Sequence, residues 1–311
     1  MKRPFLPPQR HGGFTLTELI VAVSVLTLLT GFVAQLVNNT TIVTTHSRKH
    51  SDADSQARLV FDRMAGDFAR MLKRSDVDYL FCKQIGNDRM FFYSEAPAYY
   101  DGGASSIKPR SSMALLGYRI NSSYQIERLG KQLNWGGDTS TQPGSIVFLT
   151  YPAPTVAAPK PTPVPASLLE NNWPAVIGAA PAYDGADNDY HVLADQVCRM
   201  EFCFQMKDGS YVFDPAGNSA TVIHSLKDVT AIVVGLVVLD ATSQEIVDIS
   251  KVSGAFDDPT DADLSASPPV LMGERWRRKL FQAGFATTAG IPQAAASQIR
   301  IYEKSFALNR L

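Results

Sequence analysis

The hydrophobic positions along this 311-residue chain change their period twice, and each change marks a new kind of element. From Phe14 to Val37 the chain is mostly apolar for 24 residues. At about 1.5 Å per residue such a run gives a helix of roughly 36 Å, more than the ~30 Å of a bilayer's hydrocarbon core. Residues 1–13 carry Lys2, Arg3 and Arg10 together with Pro4, Pro7 and Pro8, which prevent a helix there. Basic residues on that side favour a cytoplasmic N-terminus and a body outside; Arg48 and Lys49, just beyond the span, make the asymmetry modest. The small residues Gly12 and Gly13 precede the apolar run, whereas a secretory signal has its cleavage site after it.

Past Val37 the period becomes helical. Ala53, Ala57, Phe61, Met64, Phe68 and Met71 recur every three or four residues, which predicts an amphipathic helix continuing to about Arg74. Asp52, Arg58, Asp62, Arg63, Asp67 and Arg70 fall on the opposite face, expected to meet solvent. One helix over 14–74 would run about 90 Å.

Beyond Arg74 the period becomes two. Tyr79–Ile85, Arg89–Glu95, Met113–Ile120, Tyr124–Trp135 and Ser145–Tyr151 read as strands, followed by a Pro-rich extended loop over 152–188 with Pro159, Pro161, Pro163 and Pro165. Strands resume at His191–Met206, where Cys198, Met200, Phe202 and Phe204 share one face and Arg199, Glu201 and Gln205 the other. Val229–Leu239 is almost entirely apolar but too short to span a bilayer as a helix, so it reads as a central strand. A helix near Gly273–Ala283 and a last strand, Gln298–Leu308, close the chain. The fold class expected is α+β: a long N-terminal helix, half membrane-spanning and half amphipathic, packed on a largely antiparallel β-sheet head.

Composition adds little to this. With 45% hydrophobic and 19% charged residues and a formal net charge of −1, the chain is an ordinary folded protein without the basic footprint of nucleic-acid binding. Cys82, Cys198 and Cys203 form no CxxC pair; on a regular strand Cys198 and Cys203 face opposite sides and bridge only if the strand bends, and pairing of Cys82 with either one stays open. Hydrolase, metalloprotease, phosphate-loop and dinucleotide signatures are missing from the sequence, and His191 and His224 stand alone, so no enzymatic activity is expected. His46, His50 and Asp54 line one helical face at a spacing that suits a metal, though a solvated face is the plainer account. The acidic stretches holding Asp184, Asp187 and Asp189, and Asp257, Asp258 and Asp261, are candidate calcium ligands without the ligand spacing of an EF-hand.

Glu18 is the exception that needs a reason, because an unpaired carboxylate inside an apolar span is costly and usually functional. Gly13-Phe14-Thr15-Leu16-Thr17-Glu18-Leu19-Ile20 resembles the cleavage and methylation motif of type IV prepilins and pseudopilins. The resemblance implies a prepilin peptidase that cuts between Gly13 and Phe14 and methylates Phe14. It implies that Glu18 attracts the N-terminal amine of a neighbouring subunit during assembly. It departs from the family pattern at Thr17, where a larger aliphatic residue is usual. Gln35 stands where many true pilins have proline, which points away from a major pilus subunit.

Gly117-Tyr118-Arg119-Ile120, Glu127-Arg128-Leu129, the stretch from Leu193 to Phe204 and Arg300-Ile301-Tyr302-Glu303 make the rest similar to J-type minor pseudopilins of type II secretion and to the verrucomicrobial pilin-like cassette protein C. The organisation so implied is a cleaved leader (1–13), a transmembrane helix (14–37), an amphipathic helix continuing into the head (38–75) and a periplasmic head (76–311). Such a protein sits in the bacterial inner membrane with its N-terminus cytoplasmic, and its partners are the peptidase and other pilin-like subunits. Alternative expectations are a minor type IV pilin for adhesion or DNA uptake, and a membrane-anchored envelope binding protein that never polymerises.

Overall fold

The computed structural model describes residues 15–73, 79–83, 86–96, 114–132, 190–215 and 226–308. They fall into two units, one ending at Lys49 and the other beginning at His50. Helix α1, Leu16–Phe68, runs through both.

In the first unit the apolar side chains of α1, among them Leu19, Ile20, Val23, Leu26, Leu29, Phe32, Val33, Leu36 and Val37, are exposed. The hydroxyls of Ser24, Thr27 and Thr30 donate back to the carbonyls of Ile20, Val23 and Leu26 at 2.7, 2.6 and 2.8 Å. Bonded this way, they need no water, which suits a helix surrounded by hydrocarbon. α1 is long and apolar enough to cross a membrane.

The second unit holds two antiparallel sheets. The first is a meander of β1 (Leu80–Cys82), β2 (Arg89–Ser94), β3 (Ala114–Ile120), β4 (Ile126–Gln132) and β5 (Tyr190–Ala194), paired in that order. The second has the order β7 (Tyr211–Val212), β6 (Val197–Met206), β8 (Val229–Val238), β9 (Arg300–Ala307). Around it lie the short helices α2 (Ala241–Gln244), α3 (Ile249–Ala255), α4 (Asp261–Leu264), α5 (Met272–Leu280), α6 (Phe285–Ala289) and α7 (Gln293–Ala296).

The amphipathic stripe becomes the main core. Ala53, Ala57, Val60, Phe61, Met64, Phe68 and Met71 are buried with Met90, Phe92, Leu116 and Tyr118 of the first sheet and Met200, Phe202, Phe204, Ile232, Val234, Leu236 and Phe306 of the second. A second core lies on the opposite face of β8, where Val233 and Val237 join Phe256, Met272, Trp276 and Phe285. β8 therefore buries both faces, the physical reason its sequence is apolar without alternation. Gly235 makes room in that face: a Cβ there would lie 2.9 Å from Trp276 Cζ3. At Gly117 a Cβ would sit 2.1 Å from the ring of Phe91, its partner across the ladder.

Four expectations change. α1 ends at Phe68, short of Arg74, because the backbone beyond it turns to the first sheet: the Leu72 N–H donates to Tyr93 O at 2.9 Å and Met71 bridges to Ser94. His191–Met206 is two strands in different sheets, broken at Asp195–Gln196, where the Gln196 carbonyl accepts from Leu239 N–H and its side chain donates to Asp52. Cys198 does not share a face with Met200, Phe202 and Phe204. The register of β6 shifts between Val197 and Arg199, and this bulge turns Cys198 into the second core beside Cys203. Asp67 does not meet solvent but is buried, for the reason given below. The Ser145–Tyr151 strand and the Pro-rich loop 152–188 lie outside the described residues.

Candidate functional site

The N-terminus of α1 is built by Thr15-Leu16-Thr17-Glu18. The Thr15 N–H and Oγ1 both donate to Glu18 Oε2 at 2.9 Å, and Thr15 Oγ1 accepts from the Glu18 N–H at 3.3 Å. This is the reciprocal bonding of a capping box, which satisfies backbone donors that the first turn of a helix leaves open. Its signal, threonine three residues before glutamate at the start of an apolar run, is present in the sequence. Glu18 thus does two things at once: it closes the helix end and it holds a negative charge at the positive end of the helix dipole. Gly13 and Phe14, the residues of the expected cleavage, lie outside the described residues.

Of the other sequence candidates, His50 and Asp54 are engaged in packing, and the side chain of His46 lies outside what the structure describes. His50 accepts from Arg300 Nε through Nδ1 at 2.9 Å, and Asp54 accepts from the Tyr302 hydroxyl, so this face of α1 is bonded to β9. Burial and the Asp54 carboxylate both push the Tyr302 hydroxyl's pKa above its usual range. Of the acidic candidates, Asp257 accepts from Lys279 Nζ at 2.7 Å and Arg275 Nη2 at 2.8 Å. Partial burial works against its ionised form, but these two cations bring its pKa down to about 2. Asp258 pairs with Arg199 and Lys83, and Asp261 lies in the first turn of α4. The structure therefore does not bring these three carboxylates together, and among the described residues no group of three or more His, Cys, Asp or Glu could hold a metal ion. Asp184, Asp187 and Asp189 lie outside the described residues. His191 sits exposed on β5. All three cysteines are free; burial pushes the thiols of Cys198 and Cys203 up to about 12, so they are unreactive packing residues.

The family model described as the prokaryotic N-terminal methylation motif matches residues 8–34. The chain carries a prepilin-type N-terminus. Gly13, Phe14 and Glu18 all lie inside the matched stretch, and the prepilin-type motif continues through most of the exposed apolar part of α1. No curated protein sequence matches the chain. Among solved structures it is similar to a type IV-like pilin from Thermus thermophilus at 11% identity and a TM-score of 0.32, covering 81% of this chain and 94% of that one. The apolar helix together with the prepilin-type motif fits anchoring in a membrane.

A buried charge pair in the second unit was invisible to periodicity. Asp67, only 2% exposed, accepts from Arg128 Nε at 2.5 Å and Nη2 at 3.0 Å and from the Tyr118 hydroxyl at 2.5 Å. Burial first, and the Asp67 charge second, raise the Tyr118 hydroxyl's pKa well above its ordinary value, so it stays a donor. The three residues tie α1 to β3 and β4.

Proposed function

We propose that the chain is a structural subunit of a type II secretion-type or related pilus-like filament, of the minor pseudopilin kind. A prepilin peptidase removes residues 1–13 and methylates Phe14. Until assembly the protein waits in the inner membrane, its N-terminus cytoplasmic and its head periplasmic. The partners of its helix are the helices of other pilin-like subunits. The observation that supports this reading most is a coincidence of features at one helix end. A matched methylation motif, a single carboxylate five residues into the processed chain and an uncovered apolar surface all meet there. An exposed apolar helix needs lipid or other helices around it, and Glu18 needs a cation once water is gone.

Cysteines introduced at Thr41 and Thr45, both exposed on α1, test whether copies meet along their helices. Cys198 and Cys203 are buried, and the half-buried Cys82 is replaced by serine to keep the background quiet. In host cells with the assembly machinery, oxidation is expected to give a ladder of crosslinked species; monomers alone would favour an anchored protein that never polymerises.

A further inference from the structure

The two faces of α5 have opposite fates. Met272 and Trp276 point inward and are buried. Glu274, Arg277, Arg278 and Phe281 recur at helical spacing on the outer face, and all four are exposed. Phe281, at the C-terminal cap of α5, is 81% exposed, more than any other large apolar side chain described after Lys49. Directly after it, Gly284 adopts a φ of 81° and turns the chain into α6. Beside this turn the surface sinks into a cavity of about 350 Å³ between α3, the end of α5 and α6. Ala255, Ala283, Phe285 and Ala289 give it apolar walls, and the small residues among them leave it unfilled. At Gly254, also in its lining, an added Cβ would meet nothing within 4 Å. About 150 Å³ is enough to hold a benzene molecule, so this recess has room for an aromatic side chain.

The charge around the recess is mainly positive. Arg275, Arg277, Arg278 and Lys279 crowd the last two turns of α5, and Asp257 and Asp263 hold Arg275 and Lys279. Arg278 pairs with Glu274 at 2.8 Å on the exposed face, where such a pair contributes little and opens easily. Lys251, exposed in the cavity lining, acts on Asp248 at the cap of α3. A lone exposed aromatic needs no explanation, but aromatic and arginine side chains around a pocket are what protein interfaces use as anchors. A bilayer surface would be met by Phe281 and the arginines and would leave the recess empty. A peptide fills it. We propose that the recess and the outer face of α5 form a docking site for an acidic peptide segment of a partner protein. A large apolar side chain of that segment enters the cavity, and its neighbouring carboxylates meet Arg277, Arg278 and Lys251.

The probe is a blocked peptide, Asp-Glu-Phe-Glu-Asp with a fluorinated phenylalanine ring, observed by fluorine NMR against the full-length protein in phosphatidylcholine nanodiscs. Protein-free nanodiscs set the baseline. Saturable binding is expected, and the same peptide with alanine at its centre should compete roughly thirtyfold less well, the factor for one large apolar side chain left in water. Gly254→Leu should weaken binding by a similar factor, because the new side chain occupies the cavity. A helix accepts leucine better than glycine, so this variant keeps its fold. Arg277→Glu should weaken binding at low salt, with the difference from wild type shrinking as salt screens the charges. Equal competition by the phenylalanine and alanine peptides, or wild-type binding by Gly254→Leu, would overturn the proposal. So would attachment to phosphatidylglycerol vesicles with no binding of the peptide, which would make this face a membrane contact.

Discussion

Arg128→Ala is expected to destabilise the head by about 3–5 kcal/mol, because it leaves the buried Asp67 carboxylate without its cation. The remaining partners cannot compensate. The Tyr118 hydroxyl is a neutral donor, and Arg63 lies 3.9 Å away with its side chain 38% exposed, where its charge is screened by water. The loss comes from desolvation, so removing the charge at both ends should recover much of it. Asp67→Asn combined with Arg128→Met is expected to be more stable than Arg128→Ala alone. Denaturant midpoints of the full-length protein in detergent check both statements. A shift below about 1 kcal/mol for Arg128→Ala would mean that Asp67 is hydrated in solution.

Glu18→Gln should reduce incorporation into filaments roughly ten- to a hundredfold while leaving membrane insertion unchanged. The substitution is chosen for what it keeps. Glutamine can take the same place in the capping box opposite Thr15, so the helix end stays closed and only the charge is lost. A hydrogen bond to a charged group contributes about 1.5–3 kcal/mol, the size of effect that gives such a factor. Quantifying the variant in sheared filament and membrane fractions separates the two steps. Incorporation equal to wild type would show that Glu18 serves the helix end alone and attracts no neighbouring amine.

How far the sequence speaks for itself depends on the kind of force involved. The stripe from Ala53 to Met71 and the apolar run of β8 are legible because burial leaves a period or its absence in the residues themselves. So is the prepilin-type motif, in which glycine, phenylalanine and glutamate stand at fixed offsets from the start of an apolar helix. Asp67 was misplaced because its helical position belongs to the polar face. Only the strands folded over that face, bringing Arg128 and Tyr118, turn it into an interior residue. Glu201 and Arg199 show the same thing on β6, where the polar side of an alternating strand is covered by Lys83 and Asp258 from distant segments. The bulge at Cys198 inverts one residue's face without any local marker such as glycine. The helices between Ala241 and Leu264 are too short for a hydrophobic period. Their signals are caps instead: Asp240 and Asp248 accept from the first turns that follow them, and Thr260 with Asp263 forms a capping box.

Whether this chain starts out as a processed, membrane-held subunit can be read from the mass of the mature protein. Purified from host membranes, it should weigh as Phe14–Leu311 plus one methyl group, with N-methylphenylalanine as its first residue. A protein that still carries Met1–Gly13, or one cut after the apolar run, would contradict the account.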